Sequence, residues 1–212
     1  MRITRWSAGS IIVLALGSAS AGAGVRPLTE QSAKDAVKRG QAVKKIGDLC
    51  PRFVVEKKGM MSIRGRFEIY VDTPFCVVAS NAFEAKRKYE TPPEAVILPE
   101  AEQVVLVRVN PTTVAGGFMG STAPFSMTSE GPNILTNVHK VVIRRSGEIV
   151  QPLSTALHEV EFSNAAGATG TRTGGDFAFP LSAFDSACEI VVVHDAGEAV
   201  KKLDGKDLAK LE

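Results

Sequence analysis

From Gln103 to Leu203 the chain repeats one pattern, in which short β-favouring apolar runs alternate with turn residues, and this pattern most restricts the fold. The runs cover residues 104–109, 138–145, 148–150, 157–162, 177–181, 189–194 and 199–203. Within 157–162, His158, Val160 and Phe162 point one way while Glu159 and Glu161 point the other, the alternation of a half-buried strand. Ser146-Gly147 between two runs predicts a tight hairpin turn. About seven strands in about a hundred residues predict an immunoglobulin-like β-sandwich, and a small barrel would give the same signal.

The stretch 66–93 adds helix to this picture. Phe67, Ile69, Tyr70 and Val71 form a β-favouring run, followed by Asp72-Thr73-Pro74. Thr73 suits an N-cap, because its hydroxyl can accept from an orphan N–H, and Pro74 suits the first helical position, where no N–H is needed. Phe75, Val78, Ala82, Ala85 and Tyr89 recur at spacings of three and four, which predicts one inward face, and Pro92-Pro93 should stop the helix. Residues 29–47 read as another helix, with Ala33, Ala36, Gly40 and Val43 on one side and Lys34, Lys38, Gln41 and Lys45 opposite, a solvated face. Between them, 50–65 is mixed, with a short strand at 53–56. The fold class is therefore α+β: a helical and mixed N-terminal portion, residues 22–99, packed on a sandwich, residues 100–212, that ends in a short polar tail.

The N-terminus points to a compartment. Arg2 and Arg5 precede an apolar run over 11–16, and small residues follow up to Ala23. That layout predicts a secretory signal peptide over residues 1–21. The run is too short for a membrane span, which needs about 20 apolar residues, so no transmembrane segment should remain after cleavage. Cleavage would remove Arg2 and Arg5 and no acid, so 25 basic and 23 acidic residues become 23 and 23. A near-neutral chain lacks the net basic charge of a phosphate-binding surface, which argues against nucleic acid as a partner. A hydrophobic content of 44% excludes a disordered chain. The expected location is periplasmic or extracellular.

Export gives the cysteines meaning. Cys50 and Cys76 both belong to the N-terminal half and form the natural disulfide pair, leaving Cys188 as a small buried apolar residue; three unpaired thiols are the alternative. No Cys-x-x-Cys or His-x-x-x-His spacing calls for a metal. His139, His158 and His194 fall on separate predicted strands, where structural or surface roles are the ordinary ones. No Gly-x-Ser-x-Gly turn is present, so no catalytic residue and no cofactor is assigned. The glycine-rich segment 165–176 lacks the spacing of a phosphate loop and reads as a flexible connection between strands. This segment and residues 110–131 are the loops where a site is expected, with Arg64, Arg66 and Arg172 as candidate charged contacts.

The Thr73-Pro74-Phe75 helix start, the hairpin over 140–150, Gln151-Pro152 and Phe179-Pro180-Leu181 together give a layout similar to uncharacterised exported bacterial proteins. That resemblance implies a bacterial secreted origin and carries over no functional residue. The expected function is a non-catalytic binding or structural module of the bacterial cell envelope, contacting a protein or a glycan through sandwich loops or an exposed edge strand. The alternatives are an envelope hydrolase whose residues are scattered through the chain, and a carrier of a small apolar ligand held between helix 75–89 and the sheet.

Overall fold

The computed structural model describes residues 24–58, 63–112, 137–163 and 169–211. The expected signal peptide lies outside them. The β-favouring runs form nine strands among the described residues: β1 (Arg52–Lys58), β2 (Ile63–Asp72), β3 (Val104–Pro111), β4 (Val138–Arg145), β5 (Glu148–Val150), β6 (Ser154–Ser163), β7 (Thr169–Pro180), β8 (Cys188–His194) and β9 (Gly197–Leu203). They make two antiparallel sheets, one ordered β1-β2-β3-β7-β6 and one ordered β5-β4-β8-β9. Between β4 and β5, Ser146 and Gly147 have φ of 48° and 86°, the two positive values that a type I′ hairpin requires.

Both sheets turn alternate side chains into one core. Phe67, Ile69 and Val71 of β2, Val105, Val107 and Val109 of β3, and Phe177 and Phe179 of β7 meet Val141 and Ile143 of β4 and Ile190 and Val192 of β8. All of these are fully buried, and each contributes roughly 1.5–3 kcal/mol through removal from water. The result is a mixed α+β protein with two facing antiparallel sheets, which fits a β-sandwich. The five-stranded sheet takes β1 and β2 from before residue 100, so it crosses the boundary expected there.

Three helices complete the described residues: α1 (Glu30–Ala42), α2 (Pro74–Arg87) and the short α3 (Gly205–Leu208). A capping box starts α1, with the Thr29 and Ser32 side chains each accepting from the other's backbone N–H. Thr73 caps α2 as expected, accepting from the Cys76 N–H at 3.2 Å. The same hydroxyl donates to the Leu211 carbonyl at 3.0 Å, which ties the C-terminal segment to this helix start.

The inward face of α1 is the expected one, with Ala33, Ala36 and Gly40 buried. The face of α2 is rotated from expectation. Ala82 and Ala85 are buried, but Cys76, Ala79 and Phe83 share that face, while Phe75 and Val78 are only half-buried. Tyr89 is 99% exposed. The reason is that α2 stops at Arg87, before the two prolines. Tyr89 adopts φ 60°, its N–H bonds the Lys86 carbonyl at 3.2 Å, and the Glu90 N–H bonds the Ala85 carbonyl at 2.8 Å. That is a Schellman ending, and it swings Tyr89 off the helix surface.

The helix pair has its own small cluster of Ala36, Leu49, Ala79 and Phe83. Its closest approach is at Gly40, where an added Cβ would lie 2.1 Å from the Ala79 carbonyl oxygen. Gly40, which the sequence marks only as a weak point in the helix, is what lets the two backbones approach. A second tie to the sandwich is Gln103, which is buried, accepts from the Leu28 N–H at 2.6 Å and donates to the Leu98 carbonyl at 2.8 Å.

Candidate functional site

The two outer strands of the five-stranded sheet differ in how they end it. β1 carries Arg52, Glu56, Lys57 and Lys58 and packs beside β9. β6 is ten residues long, contains neither Pro nor Lys, and among the described residues pairs only with β7, from Ser154↔Ala178 to Ser163↔Thr169. An unpaired strand edge offers a row of N–H and C=O groups to another chain. Apolar surface accompanies it, because Leu153 and Leu157 are 64% and 52% exposed. Glu159 and Glu161 are exposed beside Leu157 on the same alternation. The edge is thus long, partly apolar and acidic.

The glycine-rich segment 165–176, expected as a loop, is strand from Thr169 onward. Its glycines meet a packing demand. A Cβ at Gly174 would lie 2.9 Å from the Val109 carbonyl oxygen and 3.0 Å from His158 Nε2. Residues 164–168, and 113–131 of the other expected loop, lie outside the described residues.

Of the candidate arginines, Arg66 on β2 and Arg172 on β7 both alternate with core residues and so face outward from this sheet. Two strand spacings, about 10 Å, separate them. Arg66 Nε lies 3.6 Å from Glu56 Oε1, an ion pair too long for a hydrogen bond. Arg172 donates to the Thr171 carbonyl at 2.7 Å. Arg64 sits in β2, and its side chain is outside the described set. Sequence reasoning passed over Arg108, which the same outer face holds between two carboxylates, 3.1 Å from Asp176 and 3.7 Å from Asp72. Burial pushes the Asp72 carboxyl up, the Arg108 cation opposes that, and the Asp176 charge adds to it.

The three histidines take separate roles. His194 is buried, with its ring 4.8 Å from that of Phe67 and its Nδ1 accepting from the Ala196 N–H. His158 Nε2 meets Asn110 Oδ1 at 3.2 Å. His139 Nε2 pairs with Asp195 Oδ1 at 2.5 Å. The backbone and side-chain N–H groups of Asn137 reach the other oxygen of Asp195 at 2.9 and 3.0 Å. The Asn137 N–H, then His139, hold the Asp195 carboxyl below its ordinary range. An imidazole oriented by a carboxylate is half of a general-base arrangement. Among the described residues no hydroxyl or thiol hydrogen-bonds His139, and no three His, Cys, Asp or Glu side chains gather as metal ligands.

Cys50 and Cys76 are brought together with free thiols, and Cys188 is buried at the start of β8. Between the helix starts and the C-terminal segment is a pocket of about 200 Å³, lined by Leu28, Thr73, Phe75 and Leu211 among others. Pockets for drug-sized ligands begin at roughly 300 Å³. No described helix is long and apolar enough to cross a membrane. Compared with known proteins, the chain matches no protein-family model, no curated protein and no solved structure.

Proposed function

We propose that this chain is an exported, non-catalytic binding module of the bacterial cell envelope, and that it binds a partner protein by strand addition along β6. The observation that carries this reading is the ten-residue edge of β6, which no other described strand pairs, with exposed Leu153 and Leu157 beside it. The partner is an extended protein segment bearing Lys or Arg at alternate positions, since Glu159 and Glu161 lie two apart. A protein fits better than a glycan: among the described residues Tyr89 is the one exposed large aromatic side chain, and it is on another element. We also infer that the sandwich is immunoglobulin-like. In support, β2-β3-β7-β6 and β5-β4-β8-β9 follow the order of an ABED sheet facing a CFG sheet widened by one strand. Export rests on the n-, h- and small-residue pattern of residues 1–23. The hydrolase alternative draws on His139 and Asp195, which no hydroxyl or thiol joins among the described residues, and the carrier alternative draws on a pocket of about 200 Å³ at Phe75.

A photo-crosslinking residue at position 157, in protein expressed in the native envelope, tests the proposal. One discrete crosslinked partner is expected from position 157 and none from position 202 on β9. Glu159→Lys combined with Glu161→Lys should abolish the crosslink, because the new charges repel a basic segment. A crosslink that survives this double substitution, or arises equally from position 202, would overturn binding at β6.

A further inference from the structure

We propose that Cys50 and Cys76 form a redox-active dithiol that closes to a disulfide by exchange with an external disulfide, tying the start of β1 to the first turn of α2. Cys50 lies two residues before β1, at the end of the turn that contains the helical residues Ile46–Asp48. Cys76 lies in the first turn of α2. The placement is close on both sides. Cys76 Sγ is 3.7 Å from the carbonyl oxygen of Leu49, the residue next to Cys50. Cys50 Sγ is 3.8 Å from Ser80 Oγ, one helical turn beyond Cys76 on the same face. The Cys50 thiol therefore rests along α2 beside positions 76 and 80.

The two sulfurs are not equivalent, and the difference assigns their roles. Cys50 is half-buried and reachable, whereas Cys76 is 1% exposed. The contact with Cys50 lowers the Cys76 thiol, with Thr73 at the helix start adding to the effect against burial. The contact with Cys76 and burial push the Cys50 thiol up, so it is exposure, not acidity, that makes Cys50 the sulfur that meets the external disulfide. Its sulfur displaces one thiol of that disulfide and forms a mixed disulfide, giving up its proton. The Cys76 thiolate then attacks the Cys50 sulfur and expels the second thiol. Two protein thiols are oxidised, the external disulfide is reduced to two thiols, and both protons leave with those thiols. Cys188 takes no part: it is buried at the start of β8, and burial pushes its thiol up to about 11.

The test uses the full reduced chain, treated with oxidised glutathione in native buffer, quenched with N-ethylmaleimide and measured by intact mass and non-reducing peptide mapping. The expected result is loss of two thiols, a mass fall of about 2 Da and a linked Cys50–Cys76 peptide, with Cys188 alkylated only after unfolding. The melting temperature should rise on oxidation and return with reductant. Cys76→Ser should trap glutathione on Cys50, while Cys188→Ser should close as the parent chain does. If Cys76→Ser does not fold, the parent chain and Cys188→Ser still decide the matter. A stable glutathione adduct on the parent Cys50, a Cys50-linked dimer, or no thiol loss would overturn the proposal.

Discussion

The sandwich core and the α1–α2 pair bury their apolar surface by opposite means. In the sandwich, large side chains from facing sheets interdigitate: Phe67, Phe177, Phe179, Ile143 and Ile190 are all fully buried. Between the helices, small residues let backbones approach, with Ala36, Gly40 and Ala79 at the crossing. Stability in the first region rests on volume filled, in the second on volume left out. Substitutions that remove or add atoms should therefore affect the two regions differently.

The largest effect is expected from removing volume in the sandwich. Phe67→Ala should cost about 3–5 kcal/mol in denaturant unfolding, because β2 and the facing sheet cannot both collapse onto the gap. Phe83→Ala in the helix pair should cost less, since that cluster is small and Phe83 reaches its rim at 9% exposure. Equal losses would break the comparison. The reverse operation comes next. Gly40→Ala would lower the intrinsic cost of the helix, yet it should destabilise by about 1–3 kcal/mol because the new methyl meets the Ala79 carbonyl. A stabilised Gly40→Ala variant would mean that the helices are not held at this distance.

These two positions also mark how far the fold was legible in the sequence. Strands such as β3 and β8 announce themselves because propensity and alternation agree. Gly40 and Gly174 point the other way: as letters they signal a weak helix and a loop, and only the Ala79 and Val109 carbonyls beside them give the reason for them. The face of α2 was misread for a related reason. Counting on from Phe75 to Tyr89 assumes a helix that continues to Pro92, whereas the Schellman bonds to Lys86 and Ala85 end it sooner. The sequence suggests an exposed edge strand without saying which, since strand order decides which strand lies outermost and no local pattern encodes it. Arg108 was missed because its partners come from β2 and β7, distant in the chain.

Acid should separate the two regions further. Asp207 of α3 lies 2.7 Å from Lys201 of β9 and 2.8 Å from Lys210, with its side chain 16% exposed. The Lys201 hydrogen bond, then that of Lys210, lowers its carboxyl from the ordinary 3.8. A depressed folded value gives stability that is present above the unfolded value and lost as pH falls through the folded one, so the loss begins below about pH 4. Asp207→Asn should cost about 1 kcal/mol at pH 7 and progressively less as pH falls below about 4. Denaturant melts of both proteins across that window would check this, and a pH-independent difference would show that the carboxylate charge is not the source.

The smallest effect has the opposite sign and belongs to the end of α2. Tyr89 occupies the C′ position of the Schellman motif with φ 60°, where a side chain costs roughly 1–2 kcal/mol and glycine costs nothing. Its ring is 99% exposed, so truncation forfeits no buried contact. Glycine also loosens the unfolded chain, which takes back about 0.4–1 kcal/mol. Tyr89→Gly should therefore stabilise by about 0.5 kcal/mol, while Tyr89→Ala, which keeps the strained Cβ, should stay within about ±0.5 kcal/mol. Paired urea melts of the two variants decide the point, because both delete the ring and only one relieves the backbone. If glycine destabilises as much as a core truncation, Tyr89 packs against something, and the helix ends where the apolar spacing first suggested.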